Sequence, residues 1–282
     1  MATLAIACLA LCAAAFFYRN VRIRENFSVM CVALSQVLLF TALGSLLSYL
    51  LARNGGGLWD SRLAAWDRAI GFDWLAYVQW VDRSAAATAW LRLAYSSLIP
   101  QVIALVLTLG FTHRLAELRT LMLAAMVAGT VTVFLSALFP AVGNYVHLGL
   151  SARDFAHVNP FAGDVHMDDF NALRAGTVGV LRLDTMEGII TFPSYHAALS
   201  VVTLWGFWTS RIAWVRWPGA MLALSTIIAT PVDGGHHLVD ILAGGAIAAM
   251  ALGWSKRAIY WVPSFDQLTA WPFRRSRVAS AR

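Results

Sequence analysis

Charge is what this chain has least of. Of its 282 residues only 13% are Asp, Glu, Lys or Arg, about half the share found in an ordinary soluble domain. Cysteine is scarce too. Cys8, Cys12 and Cys31 all fall in apolar runs, with no CxxC pair and no Cys/His spacing suited to zinc, so neither a disulfide nor a zinc site is expected. What is abundant is apolar surface: 59% of the residues are hydrophobic and the mean hydropathy is +0.66. A water-soluble globule of that composition would expose large apolar patches and aggregate. A cytosolic enzyme, a disordered chain and a nucleic-acid-binding domain are excluded. An integral membrane protein remains.

At about 20 apolar residues per transmembrane helix, the chain can hold six or seven spans. Seven apolar stretches stand out, roughly 2–18, 28–51, 87–111, 119–140, 193–210, 214–232 and 237–255. They predict an all-α, polytopic membrane helix bundle of about seven helices. A single domain covers 1–282, with a catalytic half at about 141–255 and a basic tail at about 256–282. The first stretch is short and Ala-rich, and its charges (Arg19, Arg22, Arg24) follow it. That is the wrong order for a cleavable signal peptide, so it reads as a retained helix with its N-terminus outside.

Loop charges support this orientation. The loops at 19–27, 112–118 and 211–216 and the C-terminal tail, with Arg119, hold 13 of the 21 Lys and Arg but only three acids. The loops at 52–86, 141–192 and 233–235 hold seven Arg against twelve acids, counting Asp240. The partition alternates with every crossing, as the positive-inside rule requires. The expected arrangement is therefore N-terminus out and C-terminus in, as in a bacterial inner membrane, with Arg274, Arg275, Arg277 and Arg282 against the anionic leaflet. The net charge of +6 then reflects topology rather than an acidic partner.

Two outer loops are more than connectors. Within 60–82, Leu63, Trp66, Ile70, Trp74, Tyr77 and Val81 recur at spacings of three and four, which predicts an amphipathic helix in the outer interface, broken near Gly71. It could pack against the bundle top or admit lipid. The loop at 141–192 is long and polar, a length usually associated with function. It contains His147, Asp154, His157, His166, Asp168, Asp169 and Arg174. A short acidic stretch in a loop is usually a solvated surface, so no metal is expected there. Arg92 stands inside a span, where it either snorkels outward or pairs with Asp233 or another outer acid.

The chemistry concentrates in two segments that open helices on the same side of the membrane. One is Thr191-Phe192-Pro193-Ser194-Tyr195-His196-Ala197 and the other Gly234-Gly235-His236-His237-Leu238-Val239-Asp240. Ionisable residues at such positions are costly and default to function. His236 and Asp240, at i and i+4, share a helix face. A carboxylate on one imidazole nitrogen fixes the tautomer and leaves the other free to attack. His237 is rotated about 100° away and cannot share that carboxylate equally. Pro193 suits a first helical turn, and the N–H groups around Ser194 and Tyr195 would form an anion site beside His196. Two histidines, an aspartate and a helix N-terminus suit phosphate chemistry. No cofactor or metal is expected. A structural staple is the alternative for His236 and Asp240 taken alone, and Ser194 reads as a helix-end hydrogen bonder rather than a nucleophile.

These residues resemble a known family. Pro193-Ser194-Tyr195-His196 is similar to the PSGH-type second motif, and His236-His237-Leu238-Val239-Asp240 to the HxxxD end of the third motif, of the phosphatidic-acid phosphatase type 2 superfamily. The likeness covers mainly 170–250 and implies a six-helix phosphatase-type core, to which this chain adds one span. It departs in two places. Ala229 and Thr230 stand where the phosphatases have Ser-Arg, and the first motif, KxxxxxxRP, is missing in that form. Those departures are more similar to the inositol phosphorylceramide synthase (inositolphosphotransferase) branch. The resemblance implies His236 as nucleophile forming a phosphohistidine, Asp240 as its orienting carboxylate and His196 as the proton donor and acceptor. It also requires an Arg on the phosphate, for which Arg174 is the first candidate and Arg182 the second. The implied partners are a membrane lipid substrate and a lipid or polyol acceptor, with no nucleic acid. The rival reading is a proton-coupled transporter relaying protons through the same His/Asp groups, but that would place them at the midplane and pair broken helices in repeated halves.

Overall fold

The computed structural model describes residues 2–53, 56–163, 165–177, 186 and 188–261. Among these there are only helices and connecting loops. In chain order they are α1 (Ala2–Asn20), α2 (Glu25–Ala52), α3 (Asp60–Ala69), α4 (Trp74–Asp82), α5 (Ala85–Ser96), α6 (Leu98–Phe111), α7 (Leu115–Leu138), α8 (Asn144–Leu148), α9 (Met167–Ala175), α10 (Tyr195–Thr209), α11 (Ala213–Asp233) and α12 (Leu238–Trp261). Each of the seven apolar stretches is helical. Among the described residues, α1, α2, α7 and α12 are each long and apolar enough to cross a membrane alone, and α5 with α6 makes a fifth, bent by 56°. The bend has a cause. Pro100 has no N–H to donate and its ring crowds the carbonyl four residues back, so the helix breaks at Ser97. The remaining two are α10, only 15 residues long, and α11, which carries Arg216 and two internal prolines.

The outside of the bundle is apolar and much of its inside is not. Ile6, Leu43, Phe134, Trp214, Met221 and Met250 all stand more than half exposed, which suits a lipid surround and not water. Inside, Gln101 just past the bend donates to Ser97 Oγ and Thr226 Oγ1, both at 3.0 Å, and Thr226 Oγ1 donates to the Ala94 carbonyl at 2.9 Å. Polar side chains of this kind tie membrane helices together. The protein is an integral membrane helix bundle.

The loops gather at two ends, as their alternation requires. At one end Arg119 pairs with Glu25 at 2.6 Å, Arg114 bonds Glu117 and the Thr209 carbonyl, and Lys256 lies over the Trp205 ring. At the other end the predicted amphipathic segment is α3 and α4, interrupted at Gly71 with φ +80°. Leu63, Trp74, Val78 and Val81 are buried, while Trp66 and Ile70 are about half exposed. Its carboxylates act as clamps. Asp60 accepts from the N–H groups of Val142 and Gly143, Asp67 from Leu238 and Val239, and Asp82 from Ala156, His157 and Val158, all at 2.7–3.1 Å. Burial raises the Asp82 carboxyl, but its three backbone donors together outweigh this and hold it below the usual range. These two helices therefore set both the long outer loop and the start of α12.

The far end of α11 is finished in the same way. Its last four carbonyls, which no helix can satisfy internally, accept from Gly234 N, Trp74 Nε1, Tyr145 Oη and Ala162 N at 2.7–3.1 Å. That capping holds the turn 234–237 between two anchored helix ends.

Candidate active site

Ser194 is the N-cap of α10, its Oγ accepting from Ala197 N at 3.3 Å. The helix thus begins at Tyr195, and Pro193 lies one residue before the cap, not in the first turn as its sequence position suggested. The Ser194 N–H is also not open to an anion, because it donates to the Asp240 carbonyl at 3.0 Å. This backbone bond joins the two motif segments. It needs close contact: a Cβ on Gly244, one turn after Asp240, would collide with the Ser194 carbonyl oxygen. Glycine is the residue that lets helix backbones approach so closely.

His236 lies in this contact, almost fully buried. Its Nδ1 stands 3.3 Å from Asp240 Oδ2 and its Nε2 3.3 Å from Ser194 Oγ. With the proton on Nδ1 toward the carboxylate, Nε2 carries the lone pair and accepts from the serine hydroxyl. Asp240 Oδ2 also accepts from His237 N at 2.9 Å. The turn before His236 is equally tight. Gly235 has φ +64°, its carbonyl accepts from Asn144 N at 2.7 Å, and a Cβ on it would strike the Tyr145 ring.

His196, one residue into α10, is half-buried and stacks face to face on Tyr95, with centroids 4.3 Å apart and planes within 7°. The Tyr95 hydroxyl reaches the backbone at Gly234 beside the His236 ring. Tyr95 thus spans from one histidine to the turn that carries the other. Sequence reasoning missed it, since a tyrosine in an apolar span reads as packing. Tyr195 turns the other way, its hydroxyl donating to the Ala125 carbonyl at 3.2 Å on α7.

His237 does different work. Its Nε2 stands 3.6 Å from Asp60 and its Nδ1 3.5 Å from Asp67, with the His147 ring 6.4 Å away. Burial disfavours its charge, but the Asp60 and Asp67 carboxylates facing its two ring nitrogens, with the Asp240 charge nearby, prevail and push it up to about 9. Asp60 is buried too, yet His237 and two backbone N–H groups hold it below the ordinary carboxylate range. The cation is therefore an internal tie between α3 and the start of α12. Because the folded value of His237 exceeds its unfolded value of about 6.5, its stabilisation is complete below that pH and is lost as pH rises through about 9. Melting temperature is expected to fall between pH 6.5 and 9.5, and His237→Asn should be less stable at pH 6.5 and largely remove the slope. A wild-type melt unchanged across that window would contradict the tie.

Not every predicted residue joins this group. Arg174, at the end of α9, bonds the Gly56 carbonyl and lies over the Phe170 ring at 5.3 Å, on a helix packed against α2. The structure does not place it in contact with the histidines, although its Nη1 is buried without a hydrogen-bond partner. Arg182 lies outside the described residues. Asp169 accepts from the Tyr49 hydroxyl at 2.7 Å, and among the described residues no three His, Cys, Asp or Glu side chains gather as metal ligands. Arg92 donates to the Asn159 carbonyl at 2.7 Å within electrostatic reach of Asp233, three residues before His236. Thr230 is buried, its hydroxyl bonded to the Thr226 carbonyl of its own helix.

A family model described as PAP2 superfamily matches residues 61–254, more than half of the chain. The chain belongs to the PAP2 superfamily. No curated protein and no solved structure matched it. Members of the PAP2 superfamily are phosphatases and phosphotransferases, which supports an enzyme. The matched range begins inside α3 and runs to the middle of α12, so it takes in both motif segments and leaves α1 and α2 outside.

Proposed function

We propose that this PAP2 superfamily protein is a lipid phosphatase or phosphotransferase that carries the phosphoryl group on His236. The observation that carries this reading is the His236 ring held between Asp240 and the α10 N-terminus, with His196 on the adjoining turn. Nε2 attacks phosphorus, the N–P bond forms and the bond to the leaving oxygen breaks. Protonated His196 gives its proton to that oxygen, while Asp240 offsets the positive charge on the phospho-imidazole. In the second half, His196 takes a proton from water or an acceptor hydroxyl, whose oxygen displaces His236. Ser194 Oγ, which occupies the space at Nε2 at rest, is positioned to turn its hydroxyl to a phosphate oxygen.

A substrate with a membrane-held tail fits a site at the end of a lipid-embedded bundle. With Ala229 and Thr230 in the places of Ser and Arg, the outer phosphate oxygens need a cation from elsewhere. Arg174, with its unpartnered Nη1, is our first assignment and Arg182 our second. The same departure favours headgroup transfer of the inositolphosphotransferase type over hydrolysis. The charge partition supports a site facing the exterior, with the C-terminus inside a bacterial inner membrane.

The test is a panel of lipid phosphates and phospholipids offered to the purified protein with and without an acceptor alcohol, reading free phosphate and new phospholipid. New phospholipid that appears only with acceptor is expected. Free phosphate alone would make the enzyme a hydrolase. Neither product from folded protein would defeat the proposal.

A further inference from the structure

A cavity lies at the opposite end of the bundle from His236. It is a partly open groove of about 530 Å³ between α1, α2, α7 and the end of α12, within the range of about 300–1,000 Å³ typical of ligand sites. Its lining is graded. Arg19, Glu25 and Arg119 stand at the helix ends, while Val32, Met122 and Met126 line it further in. Along α2 the lining runs from Glu25 to Gln36, three turns or about 16 Å into the bundle. The rim has an excess of positive charge, and the exposed Arg22 and Arg24 of the α1–α2 turn add to it. The two methionines can repack around a flexible chain.

We propose that this cavity is a binding site for an anionic phospholipid, held there rather than turned over. The headgroup phosphate lies at the level of Arg19 and Arg119, and one acyl chain follows Val32, Met122 and Met126 inward. Charge complementarity selects this occupant over a zwitterionic lipid, since basic pockets between membrane helices favour anionic headgroups. Glu25, which now pairs with Arg119 at 2.6 Å, would compete with the phosphate for that guanidinium. α1 and α2, which form one wall of the cavity, lie outside the family match, while α7, which supplies Arg119, Met122 and Met126, lies within it. The site stands or falls independently of the phosphohistidine reading.

Native mass spectrometry of the detergent-purified full chain tests it, with phosphatidylglycerol and phosphatidylcholine of equal chain length as probes. Phosphatidylglycerol is expected to be retained at least about 5-fold more, the effect of one net cation at a membrane surface. Arg119→Gln should erase that preference, Glu25→Gln should raise it, and Val32→Trp should expel the lipid with every charge in place. His236→Ala should retain lipid like the wild type. Equal retention of the two lipids would overturn the proposal. So would a preference unchanged in both Arg119→Gln and Val32→Trp, which would mean lipid adsorbed on the bundle's outer surface.

Discussion

Replacing His236 by alanine is expected to lower turnover by about 10⁴-fold or more, because the proposed mechanism makes it the covalent nucleophile. Asp240→Asn should be nearly as damaging while changing the shape far less. The Asp240 carboxylate accepts from the His237 N–H and faces His236 Nδ1. An amide there can instead donate to Nδ1, which moves the imidazole proton to Nε2 and removes the attacking lone pair. The comparable swap in a serine protease triad costs about 10⁴. Single-turnover release of the phosphoryl group, measured on variants with wild-type melting temperature, checks both. An Asp240→Asn enzyme within about 3-fold of wild type, about 0.6 kcal/mol in barrier, would mean that the carboxylate only packs.

The largest effect on stability is expected at Asp67. This buried carboxylate accepts two N–H groups at the start of α12 and faces the His237 cation. Asp67→Ala strands all three. Breaking a buried charged pair costs about 3–5 kcal/mol, which for a chain of this size lowers the melting temperature by about 10 °C. Asp67→Asn keeps one acceptor and should lose less. The α12 start carries Asp240, so the alanine variant should also lose activity in proportion to its loosened helix end. A melt within about 2 °C of wild type would show that water replaces the carboxylate freely.

Both predictions rest on contacts that differ in how far they could be read in advance. The helix face shared by His236 and Asp240 follows from a spacing of four within one element, and the structure has Nδ1 and Oδ2 3.3 Å apart. The break at Gly71 and the helix-end role of Ser194 are equally local. Asp60, Asp67 and Asp82 looked like the polar face of an interfacial helix. Their partners lie between 74 and 172 positions away in the chain, and no periodicity carries that information. Tyr95 and Gly244 were hidden for the same reason. A buried tyrosine and a small residue in an apolar helix are ordinary until the neighbouring helix is in place. Gly244 had one faint signal, its position one turn after Asp240 on the same face.

Sequence alone determined that this chain lives in a membrane, that its helices alternate between a basic and an acidic end, and that two His-bearing segments open helices at the acidic end. Hydropathy, loop charge and helical spacing are local or additive properties, so they can be read one segment at a time. Only the tertiary structure showed what each histidine meets. His236 meets the α10 N-terminus because Gly244 admits the Ser194 backbone, and His237 turns to the carboxylates of α3. Tertiary structure also tied Arg174 to the Gly56 carbonyl, 118 positions away in the chain. Adjacent side chains on a helix diverge by about 100°, and what each one meets depends on helices far away in the chain.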